Sequence, residues 1–296
     1  MWYKPPPGQV WSLINTPDPA AHARMLGLLN GAFTDKALHN QEHIIQSYVD
    51  LLISRLHEKA SSSVSINMVD WLNYTTFDII GDLAFGEPFD CLRNSVYHPW
   101  VSMIFESLRM YSLAAAARYY PIVETALMML IPKSVKQRVQ AHHELCVART
   151  HRQLNMEKQR YDFMAPILES NKDMDKMSLS EIESTFSMLI IAGSETTATA
   201  LSGITYQLTQ NPLVMQTLVS EIRGIFQEER HITVHSVRAL PYLNAVISEG
   251  LRVCNPAPAG LPRLVPPEGD TVCGLWLPGK VLYTLAFYNP QRVFAD

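Results

Sequence analysis

The feature that most constrains the fold is one long helical pattern with an ill-suited centre. Ser178-Leu179-Ser180-Glu181 has the capping-box spacing, with a second copy at Ser180 and Glu183, so a helix starts near residue 179. It runs on to Asn211-Pro212, where a cap residue and a proline begin the next one. Its flanks, Phe186 to Ile191 and Ala200-Leu201, are apolar, but its centre reads Ala192-Gly193-Ser194-Glu195-Thr196-Thr197. Such a centre is costly to bury: Gly193 gives up about 1 kcal/mol of helix propensity relative to alanine, and Thr196 and Thr197 are poor mid-helix residues. Ala192, Glu195, Thr196 and Thr199 share one face. Ala192 and Gly193 flatten that face enough for a planar ligand to lie against the backbone. The Thr196 hydroxyl is placed to bond back to the Ala192 carbonyl, loosening the helix ladder and admitting water. A watery notch beside a carboxylate is what proton delivery requires. The competing reading is plain close packing where two helices cross, with Glu195 reaching solvent.

The rest of the chain is mostly helical in period, with no internal repeat and no low-complexity tract. Asp18-Pro19 opens a helix from about Ala20. Further helices are expected over Thr34 to Lys59, Ile66 to Phe85, Pro99 to Met110 and Lys133 to Arg160, with a stop at Phe85-Gly86-Glu87-Pro88. Asn211 to Gln227 reads as an amphipathic surface helix striped by Val214, Leu218, Ile222 and Ile225, and Pro241 to Cys254 as a shorter, mostly buried one. Beyond Pro256 the chain turns rich in proline and glycine, with short strand-like runs such as Thr271-Val272-Cys273 and Val281-Leu282-Tyr283. The expected fold is mainly α: one domain over 1–296, a helical body at about 18–255 and a small β annex at about 256–296.

Bulk properties exclude several classes. A net charge of -4 with scattered Lys and Arg gives no footprint for nucleic acid. The four cysteines, Cys91, Cys146, Cys254 and Cys273, lie far apart with no C-x-x-C pair, so neither a zinc site nor a disulfide framework is indicated and reduced, intracellular thiols are expected. Residues Met1 to Gly8 contain no apolar signal core. No apolar run reaches the ~18 residues a membrane span needs. The nearest, Ser112 to Ile131, is interrupted by Arg118, Pro121 and Glu124 and reads as packed helices. There is no D-D-x-x-D cluster of the kind a terpene cyclase uses.

Glu249 and Arg252, three apart on the helix from Pro241, can pair on one face. An exposed pair is worth only ~0.2–0.5 kcal/mol and means nothing by itself. The order of Ala192-Gly193-x-Glu195-Thr196-Thr197, an Asn-Pro helix, Pro241 to Arg252 with its Glu-x-x-Arg, a proline-rich turn and Leu261-Pro262-Arg263 resembles the cytochrome P-450 haem-thiolate monooxygenases. The fungal microsomal branch used in secondary metabolism is most similar, as His22-Ala23-Arg24, Ala32 to Leu38 with Gln41-Glu42, and Arg160 to Met164 also look like that branch. The resemblance covers essentially the whole chain.

That resemblance implies a haem cofactor, an NADPH-dependent reductase partner, a small apolar substrate and a place on the endoplasmic reticulum membrane. By it, Ala192 and Gly193 lie over the haem face, and Glu195 and Thr196 are the acid and alcohol pair that relays protons to dioxygen. Glu249 and Arg252 brace the haem-binding core. Arg263, and His22 with Arg24, approach the haem propionates, and Ala257, Pro258, Ala259, Gly260 and Leu261 line the substrate pocket. Three departures stand beside this. Leu26 occupies a position where family members carry arginine, the segment that supplies a second arginine to the Glu249 and Arg252 pair is absent, and so is the cysteine loop that ligates iron. None of the four cysteines has that loop's glycine-rich setting. The expectation is a chain with both ends and the membrane anchor missing, inactive by itself. A helical protein retained to bind a hydrophobic molecule or a partner is the alternative.

Overall fold

The computed structural model describes residues 10–98, 132–156, 160–171, 176–258 and 262–284, with single positions 101, 117, 120, 122, 125 and 129 between. Apart from those single positions, the helix expected at Pro99 to Met110 and the stretch Ser112 to Ile131 lie outside the described residues.

Local signals set most helix starts. Asp18 accepts the Ala20 and Ala21 N–H groups at 3.0 and 3.3 Å and Pro19 occupies the first turn of α1 (Pro19–Leu29). Thr34 caps α2 (Asp35–Ser61), and Asn67 caps α3 (Met68–Phe85). Helix α3 ends at Gly86, whose left-handed φ of 71° closes the last turn without strain. After the single-turn α4 (Cys91–Asn94) come α5 (Lys133–Leu154) and the short α6 (Ala165–Ser170). The long helix α7 (Leu179–Gln210) follows, then α8 (Pro212–Ile225), the one-turn α9 (Val234–Val237) and α10 (Pro241–Val253).

Helix α7 has 32 residues, about 48 Å at 1.5 Å per residue. Its main partner is α3, of whose 18 residues 14 are buried, polar Asn73, Asp78 and Asp82 among them. The two run antiparallel: Phe85 meets Phe186 with ring centroids 6.4 Å apart, and Ile80 meets Gly193 further along. Phe77, Phe186, Ile182, Ile190, Met25 and Met164 form the centre of the core they share with α1, α2 and α5. Helices α8 and α10 pack on the C-terminal part of α7.

Buried carboxylates tie the loops to this core. Asp78 accepts the backbone N–H groups of Phe89, Cys91 and Leu92 at 3.0, 3.1 and 2.8 Å. Asp82 accepts the Tyr48 hydroxyl at 2.6 Å and binds Arg160. Asp162 accepts Gln153 Nε2 and the N–H groups of Met164 and Ala165.

Several expectations need correction. Helix α5 stops at Leu154 instead of reaching Arg160. Arg160 turns back to the Gly86 carbonyl (3.0 Å) and to Asp82, because a buried carboxylate beside an open helix end outweighs further helical propensity. Only the first of the two capping boxes forms: Ser178 and Glu181 close it, while Glu183 goes to His151 at 2.8 Å. Helix α10 is not mostly buried, since Gly250 alone is buried and Ile247, Leu251 and Val253 are 40%, 45% and 41% exposed.

The annex consists of two antiparallel pairs. Strand β1 (Pro262–Leu264) pairs with β4 (Leu282–Thr284), Arg263 opposite Tyr283, and β2 (Asp270–Val272) pairs with β3 (Leu275–Leu277), Thr271 opposite Trp276. Cys273 sits, as its place at the end of the run Thr271-Val272-Cys273 suggests, in a turn: with Gly274 it makes the two-residue connection between β2 and β3, with φ of 51° and 78°. Two successive left-handed residues make the turn whose twist matches a hairpin. Among the described residues no helix is long and apolar enough to cross a membrane.

Candidate active site

The polar centre of α7 divides into two faces. Gly193 faces α3: a Cβ there would lie 2.6 Å from Ile80 Cδ1, so its glycine serves the close approach of two helices. Ser194 is buried and returns its hydroxyl to the Ile190 carbonyl at 2.6 Å. Ala192, Thr196 and Thr199 lie on the other, exposed face. Thr196 donates to the Ala192 carbonyl at 2.6 Å, the back-bond its spacing predicts. The flat open face is therefore made by Ala192 without Gly193.

Glu195 stands between the faces. Its Oε2 is buried and has no hydrogen-bond partner among the described residues. An unmade bond at such an oxygen costs about 1–3 kcal/mol, more while the carboxyl is charged, so burial favours the protonated form. Desolvation raises its pKa accordingly, while a hydrogen bond with Thr199 works in the opposite direction. Tyr97 is near enough for the Glu195 charge to be felt at its phenol. Sequence reading misses Tyr97 because it lies in the loop after α4, outside any periodic pattern.

Arg24 and the Glu249 and Arg252 pair fall towards opposite ends of α7. Arg24 binds Glu181 at 2.7 Å and the Lys176 carbonyl, so α1 is fastened to the start of α7. Glu181 is 14 positions before Glu195, about 21 Å along the axis, and His22 is exposed on the same short helix. Glu249 and Arg252 form a two-pronged ion pair, both bonds 2.6 Å, which holds the Glu249 carboxyl below its ordinary range. Their helix meets α7 through Gly250, which touches Ile204, and through Cys254 against Gly203. Arg263 is exposed on β1 and donates to the Pro262 carbonyl at 3.1 Å. Ala257 and Pro258 are exposed in the turn after α10, where Asn255 accepts the Ala257 N–H at 2.9 Å. Ala259, Gly260 and Leu261 lie outside the described residues.

No group of three metal-ligating side chains occurs among the described residues. Cys91 and Cys146 are buried, and desolvation pushes both thiols up to about 12. Cys254 is packed against Gly203, and Cys273 is exposed in its hairpin turn.

The profile of the family Cytochrome P-450 matches residues 12–275. The chain is 42% identical to the cytochrome P-450 monooxygenase lcsI of Purpureocillium lilacinum over 280 residues, covering 94% of this chain and 54% of that protein. It is 45% identical to the cytochrome P-450 monooxygenase astJ of Aspergillus oryzae, with 92% and 54% covered. For the cytochrome P-450 monooxygenase efuB of Hormonema carpetanum the identity is 40%, with 98% and 58% covered. The chain thus spans just over half the length of the curated relatives it matches. The matched residues take in the whole of α7 with its back-bonded Thr196 and the Glu249 and Arg252 pair, and this chain belongs to the cytochrome P-450 family.

Proposed function

We propose that the protein containing this chain is a haem-dependent monooxygenase that places one oxygen atom of dioxygen in an apolar substrate, using electrons from a reductase, in fungal secondary metabolism. The observation that carries the reading is the pairing of Glu195, with its buried and unpartnered Oε2, and Thr196, bonded back to Ala192 on an open helix face. Family membership implies haem as the cofactor.

The described residues fit one side of such a group. The exposed Ala192 face offers flat backbone for a planar ring, and an orphaned carboxyl oxygen marks where a proton donor lacks its partner. None of the four cysteines is set to hold haem iron, since two are buried, one is packed against Gly203 and one is in a hairpin turn. Haem supplies the oxidative chemistry when bound. The chain's own residues position and protonate. Ala192 gives the ring a surface, Thr196 bonds back to the Ala192 carbonyl beside it, and Glu195 is the proton donor, its pKa raised by burial. Glu249 and Arg252 brace α10 near the end of α7, and Arg263 is the side chain offered to the propionates, while Arg24 is held by Glu181 and His22 lies on the same helix as Arg24.

The test is the holoprotein with haem and a reductase, supplied with NADPH. Wild type consumes NADPH in a dioxygen-dependent way, and Glu195→Gln lowers product formed per NADPH by roughly a hundredfold while peroxide release rises. Absence of dioxygen-dependent NADPH consumption overturns the reading.

A further inference from the structure

Glu195 needs a source of protons, and the antiparallel packing of α3 and α7 points to one. Phe85 lies at Phe186 and Ile80 at Gly193, so the turn from Glu195 to Thr199 is level with the part of α3 that holds Phe77 and Tyr74. Tyr97 packs its ring edge-on against Tyr74, centroids 4.7 Å apart. Its hydroxyl donates to Asp70 Oδ1 at 2.9 Å, one turn nearer the start of α3. The other oxygen of Asp70 accepts Asn67 Nδ2 at 2.9 Å on the exposed surface. One end of this chain of groups is therefore wet, and the other is the buried Oε2 of Glu195, which has no hydrogen-bond partner among the described residues.

We infer that Asp70 and Tyr97 form a proton wire from the surface at the start of α3 to the Glu195 carboxyl, the Tyr97 hydroxyl turning between the two acids. The inference rests on the reading of Glu195 as a proton donor. A proton taken from water by the Asp70 carboxylate passes to the Tyr97 oxygen as the phenol's own proton passes to the Glu195 carboxylate. One proton moves inward, one negative charge moves outward, and the phenol ends neutral. Desolvation and the hydrogen bond to Asp70 both raise the Tyr97 pKa, with smaller contributions from the charges of Asp70, Tyr74 and Glu195, so tyrosinate does not form at working pH. Tyr97 and Asp70 are relay and positioning residues, since neither touches the reacting atoms.

The experiment follows the Glu195 carboxyl by isotope-edited infrared spectroscopy of the 13C-glutamate-labelled chain after a pH jump, with Glu195→Gln assigning the band. Tyr97→Phe and Asp70→Asn each slow protonation of Glu195 by roughly tenfold or more, the two together slow it no further than either alone, and Asp70→Glu restores the rate. Melting temperatures recorded alongside separate a folding defect from a rate effect. Should Tyr97→Phe fail to fold, the nearly isosteric Asp70→Asn decides by itself. Wild-type rates in either variant, or multiplicative slowing in the double variant, overturn the wire. The donor role of Glu195 is tested separately by product and peroxide yields in the holoprotein, so each idea can fail alone.

Discussion

At the scale of single residues, burial decides protonation. His142 on α5 packs half-buried against α7, its Nε2 2.9 Å from Ser187 Oγ. Desolvation, with a smaller contribution from His143, lowers its pKa from 6.5 to about 4. An unfolded chain takes up this proton near pH 6.5 and the folded one only near pH 4, so the unfolded state binds more protons in between. Stability from this site is therefore lost as pH falls from 6.5 towards about 4, by an amount on the order of 3 kcal/mol. Asp162 acts in the opposite sense, because burial raises its carboxyl from 3.8 to about 6 and folding then favours the proton. The two slopes overlap, so the His142→Gln variant isolates one of them. Urea midpoints measured across this pH range should fall less on acidification in His142→Gln than in wild type. Parallel curves would refute the assignment. The same logic separates Gly193 from Ala192: adjacent in sequence, one faces Ile80 and the other faces outward. The sequence names both as small and leaves their directions open.

At the scale of elements, the caps were readable and the ends were not always. Ser178 and Glu181 form the reciprocal box that their spacing announces, and Arg24 from α1 adds its charge to Glu181. Arg24 and the Ser178 bonds together hold the Glu181 carboxyl below its ordinary range. Ser178→Ala should cost about 1 kcal/mol, read as a lower urea midpoint with unchanged slope, and leave hydrogen exchange in the centre of α7 unaltered. Loss of protection as far as Glu195 would show that the cap controls the whole helix. Helix α5 ends early for a reason no local window contains, because the group that claims Arg160 is Asp82, far back in the chain. The exposed flank of α10 has the same character: its apolar residues look alike in the sequence, and packing on α7 uses only the line through Gly250.

At the scale of the molecule, a few buried polar ties hold helices that hydrophobic contact alone would leave free to slide. Asp82 receives Tyr48 from α2 and Arg160 from the segment after α5, joining three parts of the chain at the end of α3. Arg160→Met should lower stability by about 2–3 kcal/mol, the low end for breaking a buried pair because the arginine is partly exposed. Adding Asp82→Asn should recover at least part of that loss, since the stranded charge is then gone; a purely additive double variant in urea denaturation would argue against this tie. The sequence by itself determined the family, the helical class, the position of α7, its caps and the back-bond of Thr196, because each depends on residues within a turn or two of one another. Tertiary structure alone decided that Gly193 serves helix packing, that Arg24 fastens α1 to the start of α7, and that Tyr97 bonds Asp70 and lies near enough to Glu195 to feel its charge. These relations join residues far apart in the chain, and their energies come from burial and from pairing across helices, which no local pattern encodes.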